Sequence, residues 1–252
     1  MLFRQFCDVT TNAFSYLFGC ERKGEAILLD PVVSNVSLYL GLLDELGLKL
    51  AWVLETHLHA EHITAADTLR ERVGAKVAVG RKAGIDAADR LLDHGEEIVV
   101  GDLALQVLDT PGHTPGCISF RWQERVFTGD SLLIGGCGRI DEPGGNGAQL
   151  FDSVTRQLLS LPDETIVYPG HRQGGRWVSC VGEERQNNPL FHGTSRDSFV
   201  ALISEMHEPL SALMSAVRAA NRRCGRMTAA DLPNAGHSAG ARALPCGPLP
   251  SH

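Results

Sequence analysis

Glu55-Thr56-His57-Leu58-His59-Ala60-Glu61-His62-Ile63 puts three histidines and two carboxylates into nine residues. The stretch follows an apolar run, Leu50–Leu54, whose length and branched side chains predict a buried β-strand. It precedes a helical pattern over Ile63–Val73 that Gly74 closes. In an extended turn His57 and His59 fall on one side, while Glu61 and His62 start the helix. Imidazoles and a carboxylate then converge at the C-terminal end of a strand, a donor set suited to a borderline cation such as Zn²⁺ or Fe²⁺.

Three further turns repeat the theme. Asp109-Thr110-Pro111-Gly112-His113-Thr114-Pro115-Gly116 separates predicted strands Leu103–Leu108 and Ile118–Trp122 and presents His113 from a loop pinned by proline and glycine. Phe127-Thr128-Gly129-Asp130-Ser131 ends a strand predicted over Arg125–Thr128, leaving Asp130 as a metal carboxylate or a helix cap. Tyr168-Pro169-Gly170-His171 ends another, predicted over Thr165–Tyr168. Each turn alone is a weak signal. Their common position after a strand lets all four meet on one sheet edge.

Working outward, Ser15–Phe18, Ala26–Leu29 and Lys76–Val79 also read as strands. Helical patterns run over Val33–Leu46, Gln149–Leu161 and Asp197–Ala220, the last with apolar residues spaced at threes and fours. This order predicts an α+β, four-layer αβ/βα sandwich: two mixed β-sheets packed together with helices outside. The functional domain is expected to span residues 1–225, including the C-terminal helix. Residues 226–252, rich in Ala, Gly and Pro, are expected to form a disordered tail.

Composition narrows the function. A chain of 252 residues with 43% apolar side chains can bury a large core without staples. Its net charge of −7 argues against nucleic acid as a partner, and no apolar run is long enough for a membrane span. With no signal-peptide pattern at Met1–Phe6, a cytoplasmic location is expected. Seven cysteines, odd in number and irregularly spaced, are no disulfide framework. The histidines carry the message, because five of the ten fall in the motifs above.

The order of these motifs resembles the metallo-β-lactamase fold superfamily from about Phe14 to His171. Within it, the run Asp130-Ser131-Leu132-Leu133-Ile134-Gly135-Gly136-Cys137-Gly138-Arg139-Ile140-Asp141 is similar to the ETHE1-type persulfide dioxygenases. So are Val178–Glu184, Asn187-Asn188-Pro189 and Asn221-Arg222-Arg223-Cys224-Gly225. The resemblance implies one Fe(II) per chain, held by His57, His113 and Asp130, with positions left open for water, O₂ and a substrate sulfur. It implies oxidation of a thiol persulfide, such as glutathione persulfide, to sulfite and thiol, and a homodimer. His59, His62 and His171 are then catalytic candidates that orient ligands or move protons. Arg139, paired with Asp141 or reaching the substrate, and Arg172 are substrate-binding candidates.

The glyoxalase II thioesterases share the first four motifs and are the rival reading, with zinc as the metal. There His57, His59 and His113 would hold a first ion, Glu61, His62 and His171 a second, with Asp130 between them. Glu61 stands where the superfamily motif has Asp. Its extra methylene moves the carboxylate by about 1.5 Å, whereas metal–oxygen bonds tolerate about 0.2 Å, so a second ion is expected to bind less tightly. Arg172-Gln173 replaces the Asp-Tyr usual in the ETHE1 type, which points to a changed substrate or rate. With both departures, a third reading is a repurposed member of the fold. The loop Glu142-Pro143-Gly144-Gly145-Asn146-Gly147 lacks the Lys-Ser/Thr of a phosphate cradle.

Overall fold

The second strand, β2 (Phe14–Cys20), is buried at every position, as a strand covered on both faces must be. Its neighbours explain how. Leu17 packs outward with Leu28, Leu50, Val53 and Leu69, whereas Phe14, Tyr16 and Phe18 pack inward with Phe120, Trp122 and Phe127. The strict alternation divides the side chains of one strand between two apolar layers. The computed structural model describes residues 1–206, 209–228 and 231.

Two six-stranded sheets result, the first from the N-terminal part of the chain, the second from the remainder. The first contains β1 (Leu2–Cys7), β2, β3 (Glu25–Leu29), β4 (Lys49–Glu55), β5 (Lys76–Gly80) and β6 (Arg90–Leu92), in that order. The first three pair antiparallel, and β3 to β6 pair parallel. Helices α1 (Val36–Glu45) and α2 (Ala66–Val73) provide the crossovers and cover the outer face. The second sheet runs β12 (Ser179–Cys180), β11 (Ile166–Pro169), β10 (Arg125–Gly129), β9 (Ile118–Trp122), β8 (Leu103–Asp109), β7 (Glu97–Val100). Only β10 and β11 are parallel there. Their outer face carries α3 (Gly147–Ser153), α4 (Val181–Asn187) and α5 (Arg196–Glu205). Three apolar clusters thus separate four layers, and the expected sandwich of two mixed sheets is the observed one.

Local departures have physical causes. Helix α2 begins at Ala66, not at Ile63, because residues 63–65 bond elsewhere: Val33 N donates to Ile63 O (2.9 Å) and Ala65 N to Pro31 O (2.7 Å). Glu61 and His62 therefore lie in a loop. Helix α3 starts two residues before Gln149, where the Asn146 side chain accepts from Gln149 N (3.0 Å), and widens into a π-type turn over Val154–Leu158. The helix expected over Asp197–Ala220 is two, α5 and α6 (Ala212–Asn221), each capped by its own serine, Ser195 or Ser211. Pro209 lies between them and cannot supply a helical N–H. Contacts also continue past residue 225. Arg226 pairs with Asp67 at 2.9 Å, and residues 229–230 and 232–252 of the expected tail lie outside the described residues. Among the described residues no helix is long and apolar enough to cross a membrane.

Candidate metal centre

All four histidine and aspartate turns open on the same edge of the sandwich. His57, His59, Glu61 and His62 follow β4, His113 follows β8, Asp130 follows β10 and His171 follows β11. The strands are tied at this edge, since Ile118 N donates to Thr56 O (2.9 Å) across the two sheets.

Hydrogen bonds determine which imidazole nitrogen faces the centre. Thr56 Oγ1 donates to Asp30 Oδ2 (2.8 Å), so the same oxygen accepts from His57 Nδ1 (2.9 Å). The Nε2 of His57 is left as a bare acceptor, buried and without a protein partner. His113 Nδ1 donates to the carbonyl of Arg139 (2.6 Å), which likewise leaves Nε2 as the acceptor. Asp130 completes the group: one ligating atom from each of His57, His113 and Asp130 lies within 4.8 Å of the others.

Two buried acids and the turn that carries His171 surround this group. Asp30, at the end of β3, holds a left-handed backbone (φ +49°) and accepts from Thr56 N (2.7 Å). His59 Nε2 lies 3.2 Å from Asp30 Oδ1 and 3.1 Å from Glu55 Oε2, which turns its Nδ1 away, buried and unpartnered. Both nitrogens of His62 and the Nε2 of His171 are also buried without a partner. His171 Nδ1 bonds Asp130 Oδ1 at 2.8 Å, and Glu61 joins these two in a further group within 4.8 Å. Buried polar atoms normally find partners. A cluster of imidazole acceptors without them, beside carboxylates, is the donor chemistry of a cation site, and the residues fit a metal.

Electrostatics agree. Burial, with the charge of His59, holds His57 and His62 well below the usual imidazole value, so both stay neutral and ready to donate a lone pair. Burial opposes charge on His59, yet the adjoining Asp30 and Glu55 raise it well above that value. Asp130, despite its burial, is held well below the carboxylate range by His171, His57 and His113.

The centre opens on a cleft of about 230 Å³ walled by Glu61, Asp130, Cys137, Arg139, His171 and Gln173. Arg139 lines it while its guanidinium forks onto Asp141 (2.7 Å for the longer bond), and the expected ion pair is present. Arg172 is exposed; its backbone N–H bonds Asn12 O, its charge is felt by Cys7, and Gln173 takes the place on the cleft wall. Six cysteines among the described residues are free thiols. The thiol of Cys137 is pushed up to about 12 by burial and by Asp130, so it stays protonated. Asp30 carries no reading in the sequence, and Asn221 enters there only through the resemblance over Asn221–Gly225, without a role. Asp30 ends a strand like the other site residues and was open to the same reasoning; Asn221 comes from the far end of the chain.

Comparison with known proteins agrees with this geometry. Residues 9–171 match the family described as the metallo-beta-lactamase superfamily. The human protein named persulfide dioxygenase ETHE1, mitochondrial, is 37% identical over 231 residues, 90% of each chain. The crystal structure of ETHE1 from Myxococcus xanthus superposes with a TM-score of 0.87 at 46% identity, covering 90% of this chain and all of that one. A hydroxyacylglutathione hydrolase from a Polaromonas species is 37% identical over 164 residues, 63% of this chain and 61% of its own. The chain belongs to the metallo-β-lactamase superfamily and, within it, to the ETHE1 family of persulfide dioxygenases. It is therefore a member of an enzyme family that implies a bound metal.

Proposed function

We propose that the chain is a mononuclear iron(II) dioxygenase acting on a thiol persulfide, with His57, His113 and Asp130 as the ligands. The reaction balances as RSSH + O₂ + H₂O → RSH + H₂SO₃, glutathione persulfide being the first substrate to test. The observation that carries this reading is the locked pair of Nε2 acceptors on His57 and His113 facing the Asp130 carboxylate. Two imidazoles and one carboxylate form the facial set of non-haem iron oxygenases. Iron(II) held there would supply electrons and a template on which O₂ and a sulfur donor meet.

The chain's own groups do the rest. Thr56 and the Arg139 carbonyl fix the ligand rings, and Asp30 and Glu55 anchor His59. His171 keeps a proton on Nδ1 against Asp130, next to the cleft, where it can exchange with substrate or product. Arg139, stiffened by Asp141, gives the cleft a cationic wall for an anionic substrate. Exposed Leu202 on α5, Met206 just after it and Leu213 on α6 support a homodimer seam.

Metal analysis of anaerobically purified protein, with oxygen uptake on glutathione persulfide, tests the proposal. About one iron per chain is expected, with uptake lost in His113→Ala. Two zinc ions with thioester turnover would overturn it in favour of the hydrolase reading, which the grouping of Glu61, Asp130 and His171 supports.

A further inference from the structure

Helix α6 ends on Asn221, a buried side chain whose two amide hydrogens are both used. Nδ2 donates to the carbonyls of His59 (2.9 Å) and His62 (2.8 Å), and Oδ1 accepts from Thr64 N (3.1 Å). All three partners belong to the loop between β4 and α2, which carries His57, His59, Glu61 and His62. That loop has no strand or helix bonds of its own over residues 57–63. The turn after α6 seats against the same loop. Gly225 has φ +91°, and a Cβ there would stand 2.1 Å from Thr64 O, while Cys224 O accepts from Asp67 N (2.8 Å).

The same helix grips the opposite wall. Arg218, three residues before Asn221 and on the same face, pairs with the buried carboxylate of Glu142, just beyond Arg139-Ile140-Asp141. One helix face thus contacts both the histidine loop and the loop that presents Arg139.

We propose that Asn221 is the positioning residue of the histidine loop, and that α6 acts as a clasp making retention of the metal depend on the C-terminal helix. The inference rests on the reading of His57 as a ligand. Without the amide, two buried carbonyls and one buried N–H lose their partners, and the loop can recover them from water only by moving. The amide spans what a local sequence motif cannot: it is 159 residues from His62 and 162 from His59.

The experiment compares the full chain with Asn221→Ala, Asn221→Asp and Ser215→Ala. Amide hydrogen exchange is read in the metal-free protein, and transfer of bound Fe²⁺ to a chelator in the loaded one. Asn221→Ala should speed exchange over residues 57–65 while β2 and β9 keep their protection, and should speed iron release about 10- to 100-fold. Asn221→Asp keeps the acceptor for Thr64 N but turns a buried carboxylate oxygen onto the two carbonyls, so it should change in the same direction by at least as much. Ser215→Ala, at an exposed position of α6 whose hydroxyl bonds Ser211 O within the helix, should release iron at the wild-type rate. Wild-type loop exchange and release in both Asn221 variants would overturn the proposal. So would equal loss of protection in the loop and in the core strands, the mark of a general structural role. If Asn221→Ala does not fold, the same criteria apply to Asn221→Asp. Loop exchange that rises as expected in a chain that holds no iron would instead refute the iron reading and leave the clasp standing.

Discussion

His171 Nδ1 lies 2.8 Å from Asp130 Oδ1, while the other oxygen of that carboxylate faces His113 Nε2 at 3.9 Å. One side chain thus serves two neighbourhoods, the group with His57 and His113 and the group with Glu61 and His171. The parallel pairing of β10 with β11, with its register shift before Gly129, brings the two strand ends to this spacing.

The pair should leave a pH signature in the metal-free protein. His171 is raised above its ordinary value, burial opposing but the Asp130 charge prevailing, and Asp130 is lowered. A raised histidine contributes stability that is complete below about pH 6.5 and is lost as pH rises through its folded value; a lowered carboxylate contributes stability above about pH 3.9. The pair therefore stabilises most between these limits. Urea unfolding of wild type and His171→Gln should differ more at pH 6 than at pH 9. A difference independent of pH would show that the bond carries no charge.

Gly170→Ala should strike the same contact sterically. A Cβ at residue 170 would stand 2.3 Å from Asp130 Oδ1, so the carboxylate must turn away. A loss of about 1–3 kcal/mol in stability is expected, with a fall in metal content. Gly41→Ala is the matched control, because its Cβ meets nothing within 4 Å in the exposed part of α1. It should stabilise by about 0.5–1 kcal/mol. Equal effects from the two substitutions would contradict the packing argument.

Thr56→Val tests the locked ring of His57. The substitution keeps the shape of the side chain but removes both the acceptor for Nδ1 and the donor to Asp30. Metal affinity, measured by competition with a chelator, should fall about 10- to 100-fold. An unchanged affinity would mean that the ring needs no such anchor.

Glu61→Asp addresses stoichiometry. The longer arm of Glu61 brings its carboxylate near Asp130 and His171, but neither nitrogen of His62 joins that group. Shortening the arm should strengthen a second site, so zinc titration should move from about one ion per chain towards two. If wild type already binds two with equal strength, the single-ion reading fails.

Much of this was written in local patterns. Apolar runs ended by Gly or Pro turns marked the strands that carry His113, Asp130 and His171, and the histidine-rich stretch marked the end of the strand that carries His57, because strand ends and ligand turns coincide in sequence. The edge strand β1 was not legible, since Arg4 and Gln5 interrupt its apolar pattern and its pairing comes from β2. The split between α5 and α6 was hidden because their apolar faces continue one spacing across Pro209. The bonds that tie Asp30 and Asn221 to the site were not legible, for another reason. Their partners lie 26 or more residues away, and no short-range pattern records such a bond. Arg172 illustrates the reverse: adjacency to His171 in sequence does not bring its side chain to the cleft.

The position of the centre at the seam has a mechanical consequence. His57 hangs from one sheet, His113, Asp130 and His171 from the other, and between them lies the aromatic layer of Phe14, Phe18, Phe120 and Phe127. An ion bound by donors from both sides is a rivet through the two halves of the chain. Its binding energy resists their sliding, and any substitution in the aromatic layer that lets the sheets slide will be felt as weaker grip on the ion.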